Sequence, residues 1–219
     1  MSFQSFDDPA GGGNHAARLD ALRGVMRDAQ LVAVIVPRAD VHQGEYVADA
    51  DARLAWLTGF TGSAGFAIAT LDRAGVFIDG RYRVQVRGQI DLRHFTPVPW
   101  PETRPSDWLR EALPQGGRVG FDPWLHTRRE IETMEAALEG SGLALVALDS
   151  NPVDAVWPDR PAPPMGAARI HDETLAGETS AQKRARLAAE LKAAGQAAAL
   201  LTLPDSISWL LNIRGSDLP

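Results

Sequence analysis

The residues best equipped for chemistry in this chain are Asp79-Gly80-Arg81-Tyr82. They close an apolar run, Ala74 to Asp79, that reads as a buried strand, and α/β folds carry their ligand-binding groups at such strand ends. A guanidinium fixed there after a glycine presents a planar fork of donors suited to a carboxylate or a peptide carbonyl. Arg81 has a second use open to it, which is to pair with Asp79 or a neighbouring acid and fasten the turn. The residues alone leave both uses standing.

Other candidates read more simply. Gly59, Gly62 and Gly65 surround Ser63 in a turn whose backbone N–H groups suit an anion. The Lys-Ser/Thr of a phosphate loop is missing, however, and a strand rather than a helix follows, so a tight turn setting two strands in register is expected. His15, His42, His94, His126 and His171 occur singly, with no HExxH and no pair at helical spacing. Glu130, Glu132 and Glu135 line a solvated helix face, and Asp49 and Asp51 flank a helix start, where carboxylates meet the N-terminal dipole. With no cysteine there is no thiolate nucleophile or ligand. Neither a catalytic residue nor a metal ligand is expected in this chain. Trp100, Trp108, Trp124, Trp157 and Trp209 fall at separate element ends and are expected in core and inter-domain packing.

The elements that must position Arg81 follow from periodicity. Ala16 to Ala29 places Leu19, Leu22 and Met26 at helical spacing. Leu31 to Val36 is continuously apolar and ends at Pro37, as in a strand covered on both faces. A short helix over Asp51 to Leu57 leads into the glycine turn. Phe66 to Thr70 and Ala74 to Asp79 form a hairpin around Asp72-Arg73, with Gly75 at its return, and Tyr82 to Gln89 continues as a helix carrying Val84 and Val86. Leu92 to Pro97 reads as a strand, and Trp108 to Leu113 as a helix capped by Ser106 or Asp107. Arg118 to Asp122 is a short strand. Thr127 with Glu130 has capping-box spacing for a helix ending near Gly140, and Leu143 to Leu148 is a last strand. The fold class is α/β, a mixed sheet with flanking helices.

The pattern then begins again. Arg18 onward gives a helix, a strand ending in Pro, and a Trp-Leu segment closing on Gly-Ser. Thr179 to Ala194, Ala197 to Leu203 and Trp209 to Ser216 repeat that order. The expected organisation is a mobile arm over 1–15, a first domain over 16–150, a Pro-rich linker over 151–170, and the start of a second domain of the same fold over 171–219.

Bulk properties narrow the class. The chain has 219 residues, 45% of them hydrophobic and 23% charged, with a net charge of -6. That balance opposes phosphate-driven nucleic-acid binding. The polar, acidic start is unlike a signal peptide, and no apolar run approaches the roughly 20 residues that span a bilayer. A cytoplasmic protein without membrane or nucleic-acid partners is expected.

Taken together, Val41-His42-Gln43-Gly44-Glu45-Tyr46, Leu57 to Gly65, Asp79 to Tyr82, Val119 to Pro123 and Leu211 to Asp217 resemble the N-terminal part of the three-domain cytosolic Xaa-Pro aminopeptidases, the aminopeptidase P family. The resemblance covers nearly all of the chain after the arm. It implies a first domain with the creatinase N-terminal fold, a second of the same fold, and a third domain holding two divalent metal ions, commonly Mn²⁺, whose ligands lie outside this chain. It implies a homo-oligomeric parent that removes the residue preceding proline from peptides with proline at the second position. It also implies that Arg81 contacts the peptide, while the fragment alone is inactive. A prolidase- or creatinase-type hydrolase and a non-catalytic protein-binding module of the same fold are the alternatives.

Overall fold

The computed structural model describes residues 13–216. Residues 1–12 of the expected arm lie outside that range. His15 does not belong to an arm: it opens helix α1 (His15–Asp28), is buried, and bonds through Nδ1 to the Trp56 carbonyl at 3.1 Å. Asn14 caps this helix through its side chain, which accepts from the Ala17 N–H.

Strand β1 (Ala33–Pro37) follows, then a 3₁₀ turn over Asp49–Asp51 and helix α2 (Arg53–Thr58). Strands β2 (Phe66–Thr70) and β3 (Ala74–Ile78) form the expected hairpin. Gly75 lies within β3 opposite Ile68 and not at the return. A Cβ there would sit 3.1 Å from the Trp108 ring, so the glycine makes room for that indole.

The helix expected from Tyr82 to Gln89 divides into a 3₁₀ turn, Gly80–Tyr82, and helix α3 (Gln85–Gln89). Val86 is buried and Val84 is exposed. The strand expected from Leu92 is β4 (Thr96–Pro99). Asp91 delays it, because its carbonyl accepts from the His94 and Phe95 N–H groups and its carboxylate from the Arg93 N–H, which winds 91–95 into a turn. Helix α4 (Pro105–Ala112) starts before the predicted caps. Ser106 and Asp107 are inside it, and Pro105 needs no N–H partner in the first turn.

Strand β5 (Gly117–Phe121) precedes helix α5 (Arg128–Leu138), where Thr127 and Glu130 form the predicted capping box. Strand β6 (Leu143–Ala147) leads to helix α6 (Pro152–Ala155). Residues 151–160, read from the sequence as linker, are packed on the first unit. Val153 and Trp157 are buried, Trp157 stacks on Trp56 at 5.0 Å, and Asp154 pairs with Arg53. The prolines suggested a linker, yet Pro152 only begins a helical turn that Asn151 caps.

Among the described residues the large sheet runs β4-β3-β2-β1-β5-β6. β2 is antiparallel to β1 and β3, and the other neighbours are parallel. The unbroken apolar run of β1 has the predicted cause. Val34 and Val36 enter a core with Leu19, Leu22, Met26, Leu57 and Val153, while Ala33 and Ile35 enter a second core with Trp108, Leu109 and Leu138.

The remaining segment contains β7 (Arg169–Ile170), α7 (Glu173–Ala176), α8 (Ser180–Ala193), α9 (Pro204–Leu211) and β8 (Ile213–Arg214), with β7 antiparallel to β8. The strand expected over Ala197 to Leu203 is absent, and Leu200 is 89% exposed. β1 is a strand because β2 and β5 complete its hydrogen bonds. Residues 197–203 have no neighbouring strand among the described residues, and a lone strand is not stable. The repeated pattern survives in the helices: α1 and α8 each have 14 residues, and α2 and α9 each end on a left-handed residue, Gly59 and Asn212.

Candidate functional site at the end of the third strand

β3 is buried along its length and delivers Asp79 and Arg81 at its C-terminal end. Asp79 caps the following 3₁₀ turn: Oδ1 accepts from the Arg81 N–H at 2.9 Å, and its carbonyl accepts from the Tyr82 N–H at 3.1 Å. The Arg81 side chain folds back on the same carboxylate. Nε donates to Oδ1 at 3.1 Å and to Oδ2 at 3.2 Å, and Nη2 donates to Oδ2 at 2.7 Å. The guanidinium hydrogen bond, then the backbone one, holds the Asp79 carboxyl below the usual carboxylate range. The same carboxylate raises the already high pKa of Arg81, with a smaller contribution from Glu45.

Arg81 is nonetheless open to solvent, its side chain 65% exposed. Its Cζ lies 5.0 Å from the Tyr82 ring centroid. Tyr82 is fixed in turn by an edge contact to buried Phe60, at 5.6 Å, and by a 2.5 Å hydrogen bond between its hydroxyl and that of Ser63. Gly62 allows this packing, since any Cβ would collide with the Phe60 and Tyr82 rings. The glycine turn is therefore a structural support for the Arg81 site. Thr61 and Gln89 bind it to α3 through the Thr61 N–H and hydroxyl, at 3.0 and 2.7 Å. Sequence reasoning missed this linkage between Ser63 and Tyr82, because only the hairpin brings them together.

The other candidates are dispersed. His42 and His94 are exposed, His171 lies in the later segment, and His126 sits half-buried against Phe121 with Nε2 unpartnered among the described residues. No three or more His, Asp or Glu side chains converge as a metal site among those residues. Trp108 and Trp157 are buried, while Trp100, Trp124 and Trp209 are partly or largely exposed. No helix among the described residues is long and apolar enough to cross a membrane.

A six-stranded mixed sheet flanked by helices is the α/β architecture of the creatinase and prolidase N-terminal domains. The chain belongs to the Creatinase/Prolidase N-terminal domain family, which matches residues 18–155, and a second family of the same description matches residues 159–219. It is 39% identical over 209 residues to a probable Xaa-Pro aminopeptidase P of Neosartorya fischeri, covering 94% of this chain and 32% of that protein. Aminopeptidase P2 of Arabidopsis thaliana is 40% identical over 195 residues, 85% of this chain and 27% of its own length. The chain thus spans about a third of the curated relatives it matches. A crystal structure of X-prolyl aminopeptidase from Caenorhabditis elegans, described as a cytosolic enzyme with a di-nuclear active site, superposes with a TM-score of 0.84 at 33% identity, covering 94% of this chain and 35% of that one. The aminopeptidase P from Streptococcus thermophilus, 17% identical with a TM-score of 0.51, shares the fold.

Proposed function

We propose that this chain is the non-catalytic N-terminal part of an Xaa-Pro aminopeptidase, a metallopeptidase that removes the residue preceding proline. The observation that carries the reading is the placement of Arg81. A guanidinium is held at a buried strand's end, on an aromatic floor, with donors left for a ligand. In this reading Arg81 binds the peptide, through a carbonyl or carboxylate, and the chemistry belongs to the part of the relatives that this chain does not span. In this reading two divalent ions, Mn²⁺ by our proposal, sit there. The homo-oligomeric parent, its cytoplasmic location and its substrates with proline second belong to the same proposal. So does the division into a first unit, a linker and a second unit opening at residue 171, with the first unit extended through Arg160.

The test compares residues 1–219 with a longer polypeptide that adds the region its relatives carry. With Mn²⁺ and an Xaa-Pro-containing oligopeptide, the longer protein is expected to release the N-terminal residue and residues 1–219 to release none. Turnover by residues 1–219, or cleavage of Xaa-Pro dipeptides alone by the longer protein, overturns the reading.

A further inference from the structure

We propose that Asp79 is a positioning residue for substrate binding, holding the Arg81 guanidinium by its Nε–Nη2 edge so that Nη1 remains available to the peptide. This inference rests on the reading of Arg81 given above.

The geometry separates the two jobs of the carboxylate. The turn is closed by Asp79 Oδ1 accepting from the Arg81 N–H and by the Asp79 carbonyl accepting from the Tyr82 N–H. Neither bond involves the guanidinium. The side-on pairing of Nε and Nη2 is additional, and an ion pair this exposed adds little to stability. What it does is remove rotational freedom from a long side chain. Asp79 fixes one edge of the guanidinium and the Tyr82 ring lies against it. Both Nη1 donors and one Nη2 donor are left without a partner among the described residues. An arginine ordered before its ligand arrives loses less entropy on binding.

The molecule contains its own control. Asp91 and Arg93 make the same pairing two residues apart: the Arg93 N–H and Nε donate to Oδ1 at 3.0 and 2.9 Å, and Nη2 donates to Oδ2 at 2.7 Å. Arg93 has no aromatic ring against it among the described residues, and its side chain is 83% exposed. Asp-x-Arg pairing is thus a local habit of the chain. The supported position at the end of β3 is what distinguishes Arg81.

The experiment is a double-mutant cycle in the longer, active polypeptide, read as kcat and KM for an Xaa-Pro oligopeptide with melting temperature alongside. Asp79→Asn keeps the Oδ1 cap but turns an amide N–H₂ toward Nη2. Asp79→Ser is the second variant, able to cap the turn but unable to reach across the guanidinium edge. Arg81→Ala is expected to lower kcat/KM by roughly ten- to a hundredfold. Asp79→Asn and Asp79→Ser are expected to lower it by roughly three- to tenfold, through a higher KM. Melting temperatures should hold, and the Asp79 effect should vanish in the Arg81→Ala background. Asp91→Asn should change neither parameter. An unimpaired Asp79→Asn beside an impaired Arg81→Ala overturns the inference and leaves the reading of Arg81 standing. An equal loss in both backgrounds also overturns it. Unchanged kinetics in Arg81→Ala removes the reading of Arg81 and this inference with it.

Discussion

Lys183 lies over the ring of Trp209, its Nζ 4.6 Å from the centroid and 2.9 Å from that tryptophan's own carbonyl oxygen. Arg18 holds Trp56 in the same way, with Cζ 4.5 Å from the ring centroid and Nη1 2.5 Å from the carbonyl oxygen. The cations occupy the same turn of α1 and α8, and the tryptophans the same turn of α2 and α9. The chain therefore uses one device twice to fasten a long helix to a short one. In the first unit the indole is also stacked on Trp157, whereas Trp209 is 48% exposed.

Lys183→Met is expected to loosen α8 from α9. It strands Asn212 Oδ1, which now receives a 2.6 Å bond from Nζ, and leaves the Trp209 carbonyl with only the 3.4 Å bond from the Asn212 N–H. The cost is about 1–3 kcal/mol, and Lys183→Arg should recover part of it, as Arg18 does this work in the first unit. Hydrogen exchange in α8 and α9 measures both variants. Unchanged exchange in Lys183→Met would show that the contact carries no stability.

The segment after Arg169 should exchange its amides faster than β1 in residues 1–219. Residues 197–203 leave their strand hydrogen bonds unmade, while β1 is paired on both sides. Equal, strong protection in dilute monomer would show that the segment is a complete fold.

Asp154→Ala is expected to destabilise the first unit by about 3 kcal/mol in a denaturant titration. Burial works against the charge of Arg53, but its hydrogen bonds and attraction to Asp154, then to Asp51, outweigh that and raise its pKa. Removing Asp154 takes away bonds of 2.7 and 3.0 Å from an arginine side chain only 6% exposed. A loss below about 0.5 kcal/mol would place residues 151–160 back among the dispensable connections.

His126 should make stability fall as the solution is acidified. Burial lowers its pKa from the ordinary value of about 6.5, against the weaker opposing pull of Glu130 and Asp122. The unfolded chain then binds more protons than the folded one below that value. Stability is full above about pH 6.5, declines toward the lower folded pKa, and changes no further from this group beneath it. His126→Phe should flatten that part of the profile. Parallel wild-type and variant profiles between pH 7.5 and 5.5 would assign the dependence to other groups.

The sequence by itself determined what neighbouring residues decide. Thr127 with Glu130 is a capping pair three residues apart, and it starts its helix where the spacing says. β1 is legible because six successive apolar residues suit a strand covered on both faces. The pairing of Asp79 with Arg81, two residues apart, was one of the two readings already open. Tertiary structure decided the rest. Arg53 meets Asp154 across 101 positions, and that contact helps to hold residues 151–160 against the first unit, while residues 161–170 stay exposed. Residues 197–203 form an apolar run but have no strand partner among the described residues, and an apolar run cannot supply one. Ser63 reaches Tyr82 across 19 positions only because the β2–β3 hairpin folds them together, and that contact places an aromatic floor against Arg81. Local signals set where elements start and stop, while the support of a site depends on contacts that exist only after the chain has closed on itself.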